Sequence, residues 1–443
     1  MKLRLSRRVA GLGMVALLAA PGAWAELSYG LETGVGYSDN ITRASSDEID
    51  ETIGALGLDL QWDAQTRRIE GSALVDLSYY EYMDETFESE VLGNANATAV
   101  LGLVPERFTW FISDAFGQAH TDPFSPGTPE NREDLNFFTT GPDFIMRLGG
   151  ATSVRLFGRY SVTTYEESLL DSHRRSGGVA LQRDLSARSR IALNGVSERV
   201  EFDDAPSDYD RENAFLSYEF DGARTDITGE TGYTWVKPRP GAGGEESGGL
   251  LASLSLVRTI SPSSTLFFDV GTNFSDAGEA LRTALEGGLV GGADITATTD
   301  LFENRYASVR YRFFRHRTGF ELGTSWSEDR YEERTEFDRT RLAYEASLTR
   351  QVGSNTDFVL LAILNQEEFD TNGLRSDELS IQARLDWRLG RSFGLALTIE
   401  RFDRGTNRDD EVGLGREYSE NRAFLMLTYR SEREPGATTI GTP

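Results

Sequence analysis

Leu379, Ile381, Ala383, Leu385 and Trp387 alternate with Ser380, Gln382, Arg384, Asp386 and Arg388, and this period of two recurs along nearly the whole chain. Successive side chains of a strand point to opposite faces, so the pattern describes strands with one apolar and one charged face. Leu27, Tyr29, Leu31, Val35 and Tyr37 share one parity near the N-terminus, as do Ile69, Ala73, Val75, Leu77 and Tyr79, and Val154, Leu156, Tyr160 and Val162. The polar partners are too charged for the core of a sandwich and too regular for loops. A wet interior opposite a lipid-facing exterior satisfies both faces.

The connections alternate as well. Short turns are predicted near 63–67, 105–107, 149–152, 185–189, 221–224, 261–264, 315–317, 353–356 and 390–392. Longer polar segments lie between them at 38–51, 120–136, 201–212, 237–248, 275–299 and 403–419. Short and long connections in turn are the mark of a membrane barrel. The reading is therefore all-β: a transmembrane antiparallel up-and-down β-barrel of about 20 strands, 18 being the next count, with short periplasmic turns and long acidic extracellular loops. Arg67, Arg107, Arg188, Arg224 and Arg317 gather at the short turns, whereas Asp47, Glu48, Asp50 and Glu51, or Asp203, Asp204, Asp208 and Asp210, crowd the long ones. A blade-like propeller has a repeat of similar length, but it would show recurring G-H and W-D signatures and would not need acidic long loops at every second connection.

The first residues bear on location. Lys2, Arg4, Arg7 and Arg8 precede an apolar run from Val9 to Ala20, and Ala23-Trp24-Ala25 has the form of an A-x-A cleavage site. The run is too short to span a bilayer as a helix. Residues 1–25 are expected to be a cleaved signal peptide, 26–430 the barrel, and 431–443 a C-terminal tail, in a protein of the bacterial outer membrane.

Composition narrows the function classes. The 443 residues include no Cys and three His, which removes thiolate chemistry and makes a Cys- or His-rich metal centre improbable. A formal net charge of -26 argues against nucleic acid, whose binding rests on Lys and Arg neutralising phosphates. Aromatic residues make up 11% of the chain, which opposes a disordered reading of that acidity.

The segment Gly34-Val35-Gly36-Tyr37-Ser38-Asp39-Asn40-Ile41 resembles the first hairpin of outer-membrane β-barrel porins of the type associated with bacterial exopolysaccharide biosynthesis clusters. The resemblance extends through the hairpin spacing of the rest of the chain. It implies an outer-membrane barrel serving polysaccharide export and brings no catalytic residues with it. One departure is the tail: Leu425, Leu427 and Tyr429 would close a final strand, yet the chain continues from Arg430 to Pro443.

Several motifs invite chemistry. Gly241–Gly244, Gly248-Gly249 and Gly287–Gly292 lack the Lys-Ser/Thr of a phosphate loop, so they read as flexible connections. His120, Asp122 and Ser125 lie close in sequence on a segment with Pro123, Pro126 and Pro129, but sequence proximity does not supply a nucleophile–base geometry. The chain is expected not to be an enzyme, and no cofactor or metal is expected. Asp203, Asp204, Asp208 and Asp210 do not follow the ligand order of a calcium loop. They read as a solvated acidic loop, of a kind that divalent cations can bridge to lipopolysaccharide.

Placing the apolar parity outward leaves Arg155, Arg159, Arg310, Arg312, Glu321, Arg341, Glu345, Gln382, Arg384, Asp386, Arg388 and Glu400 facing the lumen. Rings of side-chain charge set what a pore passes. The blander account has them pairing across neighbouring strands to stabilise the wall. Tyr79, Tyr80, Tyr82, Trp110, Trp235, Trp326 and Trp387 are expected to form aromatic girdles at headgroup depth. In the longest irregular stretch, 275–299, Ala277, Ala280, Leu281, Ala284 and Leu285 repeat at helical spacing, which makes it the one visible candidate for a plug. The expected function is an outer-membrane pore, for polysaccharide export or passive solute passage. The alternatives are a structural or adhesive barrel with a plugged lumen, and a lipid hydrolase. Expected partners are outer-membrane lipids, lipopolysaccharide, a polysaccharide and the barrel-assembly machinery.

Overall fold

β-branched and aromatic residues alternate with small and polar ones over stretches of 12 to 16 residues, longer than the roughly 9–11 needed to cross a bilayer. The structure is a computed structural model and describes residues 25–242, 245–287, 294–407 and 417–431. Its strands are β1 (Ala25–Ser38), β2 (Glu51–Gln65), β3 (Ile69–Tyr82), β4 (Glu90–Val104), β5 (Phe108–His120), β6 (Arg132–Arg147) and β7 (Thr152–Tyr165). Next come β8 (Ser172–Ser186), β9 (Ser189–Phe202), β10 (Tyr209–Asp221), β11 (Thr225–Pro238), β12 (Ser247–Ser261) and β13 (Ser264–Ser275). After helix α1 (Ala277–Gly287) follow β14 (Phe302–Arg315), β15 (Thr318–Tyr331), β16 (Arg339–Val352), β17 (Thr356–Phe369), β18 (Arg375–Arg388), β19 (Phe393–Thr406) and β20 (Tyr418–Arg430). The leader expected at 1–25 and the tail at 431–443 lie outside the described residues, apart from Ala25 and Ser431.

Each strand pairs antiparallel with its neighbours in sequence, and β1 pairs with β20, so the sheet of 20 strands closes on itself. Closure leaves no edge with unpaired backbone groups, which is the condition for spanning lipid with strands. Exposed Leu27, Leu31, Val179, Leu193, Leu250, Leu322, Ile381 and Leu425 line the outer face of strands all round the barrel. A closed barrel with such an outer face is an outer-membrane barrel, and lipid is the solvent that this face fits.

The motif that carries the family resemblance closes this barrel. Gly34 and Gly36 face β20, where a Cβ would lie 2.0 Å from the Leu425 carbonyl oxygen and 2.3 Å from the Phe424 ring respectively. Asp39 accepts from the Asn421 amide and from Asn421 Nδ2, both at 2.7 Å, while Asn40 Nδ2 donates to the Ser419 carbonyl at 3.0 Å. Glycine lets the backbones approach, and the polar pair fixes the register.

All nine short turns stand where the sequence puts them, at one end of the barrel. The opposite end differs from expectation. Residues 201–212 are not one long loop, because β9 runs to Phe202 and β10 starts at Tyr209. Arg199 and Asp210 pair across these strands at 2.8 Å, and Asp208 Oδ1 accepts from the Phe202 amide at 3.0 Å. Strands longer than the bilayer carry charge on both faces beyond it, which period-two reading mistakes for loop. Connections 166–171, 332–338 and 370–374 are short for the same reason.

Tyr80 and Tyr82 are not girdle residues. They share the inward parity of Asp76 on β3 and pack inside, Tyr80 stacked on Phe424 at 5.6 Å and Tyr82 edge-on to Phe87 at 5.7 Å. Tyr79, Trp235, Trp326 and Trp387 are exposed on the outer face.

Candidate functional site

The twelve residues assigned to the interior all lie on the parity opposite the exposed apolar row. Arg155 and Arg159 approach Asp143 at 3.7 and 2.7 Å, and Arg310 and Arg312 approach Glu321 at 3.7 and 2.5 Å. Arg384 is bridged by Glu32 and Asp386, and Arg388 meets Asp357 at 3.3 Å. Gln382 donates to Glu400 at 2.6 Å, and Arg341 reaches Asp294 at 3.0 Å. Together with Glu345, the residues Arg341, Gln382, Arg384 and Glu400 line a chamber of about 530 Å3, whose wall also includes Asp59 and Asp76. Guanidinium groups sit over rings here: Arg159 over Phe111 at 4.7 Å and Arg310 over Phe267 at 4.9 Å.

The described parts of the connection between β13 and β14, 276–287 and 294–301, fold into this interior. Asp276 caps α1, accepting from the Glu279 amide at 3.1 Å, so an Asp followed three residues later by Glu marks the helix start. The apolar face of α1 then packs on the inner wall: Leu281 lies against Gly117 of β5, and Ala277 and Leu281 share a buried cluster with Ala119, Leu135 and Tyr165. Gly117 leaves the room Leu281 occupies, since a Cβ there would come within 2.8 Å of it.

Ion pairs tie both ends of the segment to the wall. At the first, Asp276 pairs with Arg174 of β8 and accepts from the Tyr209 hydroxyl at 2.8 Å, while Glu279 meets Arg211 of β10 at 2.8 Å. Burial pushes the Asp276 carboxyl up, but Arg174, the Glu279 amide and Arg211 outweigh it and hold it down at about 2. Glu279 is likewise lowered, burial being overcome by Arg211 and Arg174. At the second end, Asp294 meets Arg341 at 3.0 Å, Arg339 at 3.6 Å and His120 Nδ1 at 3.0 Å. Against the effect of burial, the guanidinium groups of Arg341 and Arg339, with the His120 hydrogen bond, hold its carboxyl well below the usual range.

The strand wall opens to receive the segment. The β4–β5 ladder stops at Ala95 and Phe116, although β4 begins at Glu90 and β5 ends at His120. Beyond that point Gln118 substitutes its side-chain amide for the missing backbone, accepting from the Gly93 amide at 3.2 Å and donating to the Val91 carbonyl at 3.3 Å. Gly93 adopts φ 118 where the two strands part, a conformation suited to glycine. The released end of β5 pairs in parallel with the inward segment: the His120 amide donates to the Ile295 carbonyl at 2.7 Å, and the Ala297 amide to the His120 carbonyl at 2.8 Å.

His120 is thus engaged by Asp294, and Ser125 Oγ donates to Asp122 at 2.6 Å. The loop 121–131 that holds Ser125 folds inward too, with Phe124 packed 4.7 Å from Phe369 and 5.9 Å from Phe337. Asp276, Glu279, Asp294, Arg174, Arg211 and Arg339 were not singled out by sequence reading. The capping pattern Asp276–Glu279 was available as a signal, but the arginines that receive these carboxylates are ordinary inward strand positions until the segment arrives.

No protein-family model matches the chain, and neither does any curated protein. Among solved structures the chain is similar to the ferric enterobactin receptor PfeA of Pseudomonas aeruginosa, at 9% identity over 91% of this chain and 80% of that one, with a TM-score of 0.44. It is also similar to the FrpB iron transporter of Neisseria meningitidis, at 8% identity over 91% and 82%, TM-score 0.42. OccK2 of Pseudomonas aeruginosa, in complex with glucuronate, matches at 10% identity over 92% and 97%, TM-score 0.38. Likeness at this level carries no argument about function. The reading of the interior rests on the geometry of this chain.

Proposed function

We propose that the chain is a pore of the outer membrane, narrowed by the inward segment at 276–287 and 294–301, and that its cargo is carbohydrate, either a polysaccharide in export or its smaller fragments. The observation that carries the pore is the segment itself. It is stitched by charge to β8 and β10 at one end and to β16 and β5 at the other, inside a sheet of 20 strands. Barrels of roughly 16–18 strands already enclose an aqueous channel, so a larger one conducts unless something fills it. A polar segment held by ion pairs narrows a wet conduit, whereas an apolar one would fill a dry core. The carbohydrate reading rests on the resemblance of residues 34–41 to porins of exopolysaccharide clusters.

In this reading the short turns are periplasmic and the opposite rim meets lipopolysaccharide. Exposed pairs on the outer face near that rim, such as Arg401–Asp403 at 2.6 Å, suit a headgroup layer better than acyl chains. Inward charges at Arg155, Arg159, Arg310, Arg312 and Arg388 then set which solutes pass.

Purified protein in planar lipid bilayers tests the pore. Conductance is expected from the full chain, rising when residues 279–292 are deleted. If neither form conducts, the transport reading fails and a structural or adhesive barrel with a filled lumen takes its place.

A further inference from the structure

Among the described residues the buried arginines are Arg43, Arg174, Arg211, Arg339, Arg404 and Arg422. Five of them meet carboxylates. Arg43 and Arg422 share Glu420, Arg174 and Arg211 share Glu198, and Arg339 meets Asp329 and Glu367. Arg404 is 6% exposed, and among the described residues its guanidinium makes one hydrogen bond, from Nη2 to the Phe124 carbonyl at 3.2 Å. Its Nε has no partner. A guanidinium cannot give up its proton, so a buried one with no carboxylate within ion-pair distance, Glu367 acting on it only from farther off, is an unusual expense for a fold to carry.

Strand register explains what surrounds it. Asn365 of β17 stands opposite Glu378 of β18, Glu378 opposite Arg404 of β19, and Arg404 opposite Tyr418 of β20, which makes one row of inward side chains across four strands. The Tyr418 hydroxyl reaches past Arg404 to donate to Glu378 at 3.2 Å. The carboxylate that faces Arg404 is thereby engaged over its head. At the other end of the row, Asn365 Oδ1 is buried and has no donor. Asn365, Glu378 and Arg404 all line the chamber of about 530 Å3. The row presents an unmatched cation and an unmatched acceptor to one cavity.

The carbonyl that aims Arg404 is itself held. Asn131 Nδ2 donates to the Asp122, Ser125 and Pro126 carbonyls at 2.8, 3.2 and 3.1 Å, which freezes the loop carrying Phe124. A site braced in this way keeps its geometry before a ligand arrives.

We propose that the chamber binds a hydroxylated monocarboxylate of monosaccharide size, an acidic sugar residue, with its carboxylate on Arg404 and its hydroxyl groups on Asn365 and Glu378. A carboxylate completes the guanidinium, and hydroxyls supply the donors that Asn365 and the free lone pairs of Glu378 lack. The carboxylates Glu367, Glu378 and Glu400 also line the chamber, so a doubly charged phosphate is repelled where a singly charged sugar acid is tolerated. A cavity of this volume holds one or two sugar rings. The inference rests on the carbohydrate-pore reading and deepens it by naming the part of the cargo that is recognised.

The test is binding to the full-length barrel in detergent, by equilibrium dialysis with galacturonate and with galactose as its uncharged counterpart. Galacturonate is expected to bind at least about tenfold more tightly, and Arg404→Gln to bring it down to the level of galactose. Tyr418→Phe provides a second variant, with the cavity lining intact. It releases Glu378 to pair with Arg404 and is expected to weaken galacturonate several-fold, whereas Arg404→Lys keeps part of the preference. Equal binding of the two sugars by the unaltered barrel, or a preference that survives Arg404→Gln, overturns the proposal. The two readings separate cleanly, because dialysis needs no conduction. A barrel that prefers galacturonate yet never conducts sinks the pore alone, and one that conducts without preference sinks this site alone.

Discussion

At its first end the inward segment sets Asp276, whose side chain is 7% exposed, against Arg174, Arg211 and Tyr209, all of them buried. At its second end Asp294 is 29% exposed, and its partners are Arg341, Arg339 and His120. Both ends use the same chemistry, yet water reaches one and not the other. Buried ion pairs are costly to break because the survivor is left without a counter-charge, whereas pairs open to solvent exchange partners for water at little cost. The first end therefore acts as the fixed root of the segment. The second holds largely through backbone pairing of 295–297 to His120, to which the carboxylate adds.

Removing the root should have the largest effect. Arg174→Ala leaves Asp276 and Glu279 facing Arg211 alone, at a cost of about 3–5 kcal/mol to the docked segment. Single-channel conductance is expected to rise to the level of the 279–292 deletion. A channel indistinguishable from the unaltered one would show that the root lies elsewhere.

Acid should act next, and its sign follows from the lowered carboxyls. Asp276 stays ionised down to about 2 in the docked segment, while an ordinary aspartate titrates near 4. Its contribution, about 2 kcal/mol, is therefore complete above pH about 4 and is lost as pH falls through about 2. Conductance should be level from pH 8 to 5 and climb between 4 and 2. A rise already complete above pH 5 would show that Asp276 is not the group that holds the segment and would reverse the ranking of the two ends.

The smallest effect is expected from Asp294→Asn, about 1 kcal/mol or less, because the buried Arg339 keeps Asp329 and Glu367 as counter-charges when Asp294 is neutralised. More frequent brief openings, with little change in mean current, are the expected record. If this variant opens the pore as fully as Arg174→Ala, the distinction between root and second tether is lost.

Much of the barrel could be read from the chain because its rules are local. A turn such as 262–263 needs only polar residues between two alternating runs, and β18 declares both faces over a few residues. Parity also placed Arg384 and Glu400 inside before any partner was known. Residue type misled where a strand outruns the membrane. Tyr80 and Tyr82 look like girdle residues in a run of aromatics, but inward parity at the rim buries them. Residues 209–212 look like loop because they are charged, yet β10 has begun there.

The site was less legible, since its residues meet across the barrel. Arg174 and Asp276 are 102 residues apart, and Arg404 is left unpaired by a contact between Tyr418 and Glu378, 40 residues apart. No spacing rule connects such positions. Helical periodicity showed that 277–285 would be amphipathic, but not that Gly117 would make a seat for Leu281.

By itself, then, the sequence determined an all-β membrane barrel, its hairpin spacing, the two parities of its strands and where one connection would turn helical. Alternation, turn chemistry and capping act within a few residues and need no partner. Tertiary structure alone decided that this connection folds inward, that β5 leaves β4 to receive it, and which charges meet. Those outcomes depend on distances between strands far apart in the chain. Such distances exist only once β1 has closed on β20.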